Sequence, residues 1–497
     1  MAAALIPFPS LDLCGLLFTD ASRFYSYQFA FVKLYDRILD KRSFLLTFCS
    51  LCMGIYRDLQ PIAKVDVVVV GSGSAGSTAA IAAARQGVNV LLLERYGFLG
   101  GTSTGVLDTF YGFYTPGAEA HKVVGGIADD VIARLKHLDR IIERPNTYGA
   151  GLGITYHPDY LKCAWEQLVQ ESGAQILLNC WVQDVKLIEN RLTSLIVATK
   201  QGLACIEGKV FVDATGDADL SYWSDVPLEL AGDRHDAQSL TTTFRMCNVD
   251  IKARRTIDKA RFHELMKEAA YHGYELPRRE GSDHITTVDG VLATNMTRVR
   301  SFEKRAAGVV NATDPAFLSA AEIEGRRQAL EYIRFLRDCV PGYEQAKLAA
   351  FGTQIGVRET RRIIGDYVLT REDVLSARQF DDQIGLCGAP IEEHGPGDTT
   401  KWEYLPDGEC VGIPYRTLLA QKLENLFVAG RCFSATHDAH ASVRSMAQCM
   451  AMGQAAGSAA ALCVRNNIDS RSLPFALLRD RLLSSHAILE LKAGRIA

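Results

Sequence analysis

The sequence has no excess of charge of either sign. Its 54 Lys and Arg stand against 58 Asp and Glu, a net charge of −4 over 497 residues. This near balance gives no global reason to expect a nucleic-acid or polyanion partner. Clustered cysteine is also missing. The 13 cysteines are scattered from Cys14 to Cys463, and the one close pair, Cys49 and Cys52, has no second CxxC to complete four ligands. A dense, even-numbered disulfide framework is therefore excluded, as is a zinc or iron–sulfur site of ordinary spacing. The thiols read as reduced, mostly buried side chains of a cytoplasmic protein. The apolar stretch Ser43–Tyr56 covers 14 residues, short of the ~20 a spanning helix needs. Asp12, Asp20 and the absence of an early basic region argue against a standard signal peptide. No internal repeat or low-complexity linker interrupts the chain. Proline is sparse (15) while glycine is not (41), and glycine lets backbone approach a ligand closely. With 48% hydrophobic residues, the length implies two to four globular domains at roughly 150 residues each.

Residues 1–64 differ from the rest. They are rich in Phe, Tyr and Leu and nearly lack Gly. They are expected to form an atypical N-terminal extension, either adventitious or in contact with a membrane surface. At Val65 the character changes. Val65–Val70 is mostly β-branched, as in a strand buried on both faces of a parallel sheet. An Ala-rich helix follows over Ser77–Gln86, then a strand over Asn89–Leu93 ending at Glu94. This is a βαβ unit. A helix is predicted over Tyr156–Ala174, opened by His157-Pro158-Asp159. Strands are predicted at Ala174–Leu178, Trp181–Ile188, Arg191–Thr199 and Val210–Ala214. The more polar middle, roughly 226–410, holds a helix over Ala320–Asp338 with apolar Ile323, Leu330, Ile333 and Leu336. Asn425–Ala429 reads as a short strand, and about Ser442–Val464 as one long helix of small residues.

The strongest motif is Gly71-Ser72-Gly73-Ser74-Ala75-Gly76, between a buried strand and a helix, with an acidic residue ending the next strand. Gly71 permits the tight turn, Gly73 lets backbone approach a pyrophosphate, and Gly76 permits close helix packing. The helix start supplies N–H donors and partial positive charge for phosphates. Glu94 would accept from ribose hydroxyls, and it would repel a 2′-phosphate. In Arg95–Ser103, the pair Gly100-Gly101 suits a second close approach to a cofactor; a solvent loop is the alternative. Asp213-Ala214-Thr215-Gly216-Asp217 ends another strand, with Asp217 either a ligand or a turn former. Asn425–Arg431 repeats the logic of strand, glycine, loop and small-residue helix. Such a helix can point its positive end at a group that becomes anionic, as reduced flavin does near N1 and the C2 carbonyl.

The segments GSGSAG…E, FLGG, DATGDADL, IGVRETRRI and NLFVAGRCFSATHDAHASVRSMAQCMAMGQAAG resemble the FAD-dependent oxidoreductases that group with the heterodisulfide reductase-like flavoproteins, within the glutathione-reductase-type FAD fold. The resemblance spans roughly Val65–Val464. It implies an α/β fold: a Rossmann-like FAD domain (65–225 and 416–465), an interrupting α+β substrate domain (226–415) and a C-terminal tail (466–497). It also implies non-covalently bound FAD. Heterodisulfide reductase carries clustered cysteine ligands that this chain lacks, which places electron transfer through iron–sulfur centres in doubt. Carried over residue by residue, the ADP half falls to Gly71, Ser72, Gly73, Ala75, Gly76 and Glu94, with Arg95 and Val182. Gly100, Gly101 and Thr102 would lie near the pyrophosphate and ring. Thr215, Gly216 and Asp217 would wall the cofactor. Gly430 and Arg431 would meet the ribityl-pyrophosphate side, and Ser442 to Met446, including Val443, the pyrimidine end.

Two clusters suit substrate and proton handling. In Arg358-Glu359-Thr360-Arg361-Arg362, Arg358 and Arg361 could clamp an anionic small-molecule substrate bidentately, or the set could form a salt-bridged surface. In His437-Asp438-Ala439-His440 with Arg444, a histidine could shuttle a proton and a cation could stabilise reduced flavin; helix capping is the alternative. No third ligand supports a metal reading of these histidines. Covalent attachment through His437, His440 or Cys432 is chemically open, and Cys449 reads as a packing residue. The expected activity is hydride transfer between a small organic substrate and flavin N5. The alternatives are a flavin monooxygenase, or a flavoprotein that is non-catalytic or serves electron transfer within a larger assembly.

Overall fold

The strand Pro61–Val70 forms because its last residues, Val67 to Val70, are β-branched and can be buried on both sides. In the computed structural model, residues 59–117, 120–145, 151–395 and 397–491 are described, and the unit Pro61–Ala497 contains everything discussed below. The reading of residues 1–64 as a membrane-contacting extension falls on segments outside the described residues up to position 58. Among the described residues, no helix is long and apolar enough to cross a membrane.

Seven strands make the main sheet, in the order Gln175–Leu177, Val90–Leu93, Pro61–Val70, Gly202–Asp213, Arg191–Thr199 and Trp181–Ile188, with Leu426–Val428 also paired to Gly202–Asp213. The pairs around Pro61–Val70 are parallel, with Val70 opposite both Leu93 and Asp213; Val428 is in turn opposite Asp213. This register brings Gly71, Glu94, Ala214 and Ala429 to one edge, where open α/β sheets bind ligands. The strands Trp181–Ile188 and Arg191–Thr199 have the predicted ends and run antiparallel to their neighbours.

The helix after the first strand spans Ser74–Ala84, three residues ahead of its predicted start, with Gly73 at its N-cap. All its residues are buried, because the sheet covers one side and the helix Met446–Asn466 the other. The two helices touch at backbone. A Cβ at Gly453 would lie 2.1 Å from the Ala75 carbonyl oxygen, and one at Gly457 2.1 Å from that of Ala79. Glycines four apart share a helix face, and only they permit this approach. The single long helix predicted from Ser442 is in fact two, His437–Val443 and Met446–Asn466. Thr436 caps the first by accepting from Ala439 N–H, and extended Ser445 (φ −59°, ψ 150°) restarts the second.

The middle of the chain builds a second core around Phe244, Met246, Phe262, Tyr332, Phe335 and Tyr343. Its antiparallel sheet runs Ser282–Ile285, Leu292–Asn295, Phe244–Cys247, Lys347–Phe351. The helix Pro315–Cys339 buries Ala321, Gly325, Ala329, Tyr332, Phe335 and Leu336. Ile323 and Leu330, expected on its apolar face, are 66% and 58% exposed. Small residues set the inward face instead: a Cβ at Gly325 would lie 2.0 Å from Thr242 Oγ1. Leu369, Ile384, Leu386 and Ile413, and the tail residues Leu478 and Leu482, bury with the sheet's own core.

Candidate active site

A cavity of about 680 Å³ runs from the sheet edge to the second core. That is the size of a cofactor or ligand site. The three motif glycines have three different reasons to be glycine. Gly71 has φ +90°, and a Cβ there would sit 2.4 Å from the Ala214 carbonyl oxygen. A Cβ at Gly76 would sit 1.7 Å from the Gly71 carbonyl oxygen. Gly73 has ordinary extended backbone, and a Cβ would meet nothing within 4 Å, since it faces the open cavity. Ser72 and Ala75 line the cavity beside it.

Glu94 also lines the cavity while buried. Its carboxylate accepts from Ser72 N–H (2.9 Å), Ser72 Oγ–H (2.6 Å) and Tyr96 N–H (2.9 Å). These bonds fix its orientation at the strand end. Arg95 lies over the Tyr96 ring and against Trp181, and Val182 completes that wall. Gly101 and Thr102 line the cavity; Gly100 stands behind them and donates its N–H to the Ser72 carbonyl. Thr215 and Gly216 line it as well. Asp217 does not, because it accepts from Arg431 Nη2 (2.8 Å) and Thr360 Oγ1 (2.7 Å). Asp219, in the same DATGDADL segment but not singled out there, does line the cavity. Burial, with Asp217 and Asp213 nearby, pushes it up to about 7.

Gly430 and Arg431 line the opposite side. Of the next segment, Ala441, Arg444, Ser445, Met446 and Cys449 form the wall. Ser442 and Val443 do not: Ser442 Oγ donates to the Ala389 carbonyl (2.6 Å), and Val443 is in the core. The helix break turns residues 444–446 toward the cavity and these two away. Cys449 is no redox thiol by its surroundings, since burial pushes it up to about 12.

His437 and His440 are not on the cavity wall. They belong to a buried ionic cluster behind it. His437 Nδ1 lies 3.0 Å from Glu359, Arg362 Nη1 lies 2.7 Å from Glu359, and His440 Nε2–H donates to the Arg431 carbonyl (2.7 Å). Burial favours a neutral Glu359, but His437 and Arg362 outweigh it and hold the carboxyl at about 2. His440 is the reverse case, held well below its usual range by burial and Arg362. The arginine cluster divides too. Arg358 lines the cavity, whereas Arg361 sits 3.4 Å from Asp219, over the Tyr222 ring, and leaves the wall.

Several residues on the wall carried no sequence signal. Asp108 Oδ1 lies 2.7 Å from His284 Nε2, joining the sheet domain to the second core. Burial raises Asp108, but His284, Arg245 and Arg144 hold it at about 2. Arg144 donates to Thr155 Oγ1 (3.1 Å) and the Tyr111 hydroxyl (3.3 Å). Glu392 accepts from His394 Nε2–H (2.9 Å), and His394 is held at about 3 by burial and by Arg358. Neutral His394 then accepts from Thr400 Oγ1 at Nδ1 (3.3 Å). Arg278 completes this end. These residues meet only through tertiary pairing of distant strands.

Residues 66–482 match the model of the FAD dependent oxidoreductase family. The chain belongs to that family. FAD is accordingly its cofactor and it is an oxidoreductase. Among curated relatives, a 4-oxocyclohex-2-ene-1-carboxylate 5-dehydrogenase from Sinomonas cyclohexanicum is 36% identical over 85 residues, 17% of this chain and 13% of that one. A thiamine thiazole synthase from Methanococcus vannielii is 32% identical over 162 residues, 31% of this chain and 56% of that one. The matches thus span about half or less of these relatives' lengths. Among solved structures, the aromatic hydroxylase CabE from angucycline biosynthesis aligns with TM-score 0.45 and 12% identity, over 85% of this chain and 66% of that one. A geranylgeranyl bacteriochlorophyll reductase-like protein from Thermoplasma acidophilum aligns with TM-score 0.41 and 11% identity, over 86% and 84%. The site fits FAD on its own geometry. The open backbone at Gly73, beside a helix start, suits a pyrophosphate; Glu94 suits ribose hydroxyls; and Gly430 keeps the facing side clear of a side chain.

Proposed function

We propose that this FAD-dependent oxidoreductase transfers a hydride between a small organic substrate and the flavin, with His284 and Asp108 handling the accompanying proton. One observation carries the reading: the Asp108–His284 pair lies on the same cavity wall as the Gly71–Ala75 turn and Gly430. Bound FAD supplies the hydride chemistry. The protein must orient the substrate, exclude water and move a proton. Asp108, ionised and buried, holds the His284 ring in place through Nε2 (2.7 Å). Nδ1 is then the nitrogen that exchanges a proton with substrate. Leu107, Tyr111, Met446 and Trp402 line the same cavity and give it apolar and aromatic walls.

The test is anaerobic mixing of the FAD-loaded protein with a substrate panel, read as loss of the oxidised flavin absorbance. A compound that bleaches wild type should bleach His284→Gln about 10²–10⁴-fold more slowly, with FAD content unchanged. If no compound and no nicotinamide bleaches a protein that retains FAD, hydride transfer is refuted. If product recovered in air carries an oxygen atom from O₂, the enzyme is a hydroxylase and the proposal fails.

A further inference from the structure

The substrate end of the cavity holds more positive charge than the protein itself answers. Arg278, Arg358 and Arg444 all line it. Other arginines within this chain meet carboxylates: Arg254 with Asp283 (2.7 Å), Arg362 with Glu359 (2.7 Å), Arg431 with Asp217 (2.8 Å). These three are different. Arg278 Nη1 donates to the Asn295 carbonyl (3.1 Å) and Oδ1 (3.3 Å). Arg358 Nη1 donates to the Ser239 carbonyl (2.6 Å) and Thr241 Oγ1 (2.7 Å). Arg444 Nη2 donates to Gln238 Oε1 (2.8 Å). Every one of these acceptors is neutral. Arg278 is only 4% exposed, and the buried Nε atoms of both Arg278 and Arg444 make no hydrogen bond. Glu392, on the same cavity lining, is hydrogen-bonded to His394 and its charge partly offsets Arg358 and Arg444. His394 is held neutral and adds no charge.

One carboxylate against three guanidiniums leaves an unanswered charge in a desolvated place. Buried charge without a partner is costly, and a buried N–H without an acceptor adds to that cost. Burial and the neighbouring Arg444 and Arg278 pull Arg358 well below its usual range, the mark of cations crowded together. A bound oxyanion would answer that charge. Guanidinium forks recognise a carboxylate in the plane, and three of them line this end of the cavity. The adjoining Leu107, Val357 and Met446 supply apolar surface for an organic body.

We infer that the substrate is an organic acid, its carboxylate seated between Arg278, Arg358 and Arg444. This rests on the oxidoreductase reading above and names the class of compound that site takes. It also predicts that neutral analogues of a true substrate bind poorly, because they leave the seat's donors and charge unanswered.

The experiment uses FAD-loaded full-length protein. Formate and benzoate are the probes, formamide and benzamide their neutral counterparts, and inorganic phosphate the tetrahedral control. Binding is read from perturbation of the flavin absorbance band and from the rise in melting temperature. Formate and benzoate should perturb both, and their amides should not. Arg278→Met should weaken benzoate at least tenfold. Arg278→Lys keeps the charge and loses the fork; it should weaken benzoate similarly while retaining the flavin spectrum, which guards against misfolding. Equal effects of acid and amide would overturn the inference, as would wild-type affinity in both variants. A response to phosphate alone would overturn the carboxylate assignment. Anaerobic bleaching by a neutral compound, with no response to formate or benzoate, would overturn this inference and leave hydride transfer standing.

Discussion

Replacing Gly73 by alanine should separate cofactor binding from folding. Gly73 has φ −60° and extended ψ, which alanine adopts freely, and the added methyl meets no protein atom within 4 Å. The change restricts the unfolded chain, so the FAD-free protein should be as stable as wild type or gain about 0.4–1 kcal/mol. The methyl projects into the cavity, where the pyrophosphate must approach the backbone. Overpacking of this kind costs about 1–3 kcal/mol. That is a factor of ~5 to ~150 in the FAD dissociation constant, taking 1.4 kcal/mol per tenfold. The two effects have opposite signs in one melting experiment. At FAD one hundred times its wild-type dissociation constant, the ligand stabilises wild type by about 2.7 kcal/mol. If the variant binds ~30-fold more weakly, the same FAD stabilises it by only about 0.9 kcal/mol. The assay is denaturant unfolding with and without FAD, beside a fluorescence titration of FAD. Wild-type FAD affinity in Gly73→Ala would refute the assignment of this turn to the pyrophosphate. A large loss of FAD-free stability would refute the reading of the space as open.

Other outcomes follow from the packing and the charges. Gly457→Ala places a methyl against the Ala79 carbonyl, which is backbone and cannot swing aside, so stability to denaturant should fall by about 1–3 kcal/mol or more. Glu359→Gln leaves buried His437 without its anion and Arg362 with Glu229 alone, and should cost about 3–5 kcal/mol by the same measurement. The pH dependence of unfolding should carry this cluster's signature. Glu359, held at about 2 against 4.5, contributes stability that is complete above 4.5 and lost as pH falls toward about 2. His437, shifted upward, contributes stability that is complete below 6.5 and lost as pH rises through its raised folded value. Glu359→Gln should flatten both limbs. Finally, FAD affinity should weaken a few-fold as pH rises through about 7, when Asp219 gains its charge on the cavity wall, and Asp219→Asn should remove that dependence in a titration of FAD fluorescence.

What is readable in the sequence is what depends on neighbours in the chain. The alternation from β-branched run to glycine turn to alanine helix is local, so the motif at Gly71–Gly76 and the acidic strand end at Glu94 lie where their spacing puts them. The strands Trp181–Ile188 and Arg191–Thr199 are legible for the same reason. The helix Pro315–Cys339 is legible too, and its inward face in part: Leu336 is buried and Ile333 packs on the second core, as expected. Side-chain size also suggests Ile323 and Leu330, whereas the close approach at Gly325, with Ala321 and Ala329 buried beside it, turns those two outward. The histidines His437 and His440 sit beside the right segment and point at its back, because the break at Arg444–Ser445 is set by packing. Asp108 and His284 are 176 positions apart, and nothing in either neighbourhood signals the other. Arg278, Glu392 and His394 are equally silent, each an ordinary polar residue until the second core folds over the sheet edge.

The backbone contact between Gly453–Gly457 and Ala75–Ala79 also sets a timetable for biosynthesis. About 380 residues separate the two partners in the sequence. At ~5–20 residues per second, a ribosome needs roughly 20–75 s to make the second helix after the first. Throughout that interval the alanine-rich face of Ser74–Ala84 has no cover from its own chain. That face of the nascent FAD domain stays without its partner helix until the end of the chain emerges. A nonsense mutation upstream of Met446 would release a product whose glycine-motif helix stays open to solvent and to aggregation, however intact the motif itself.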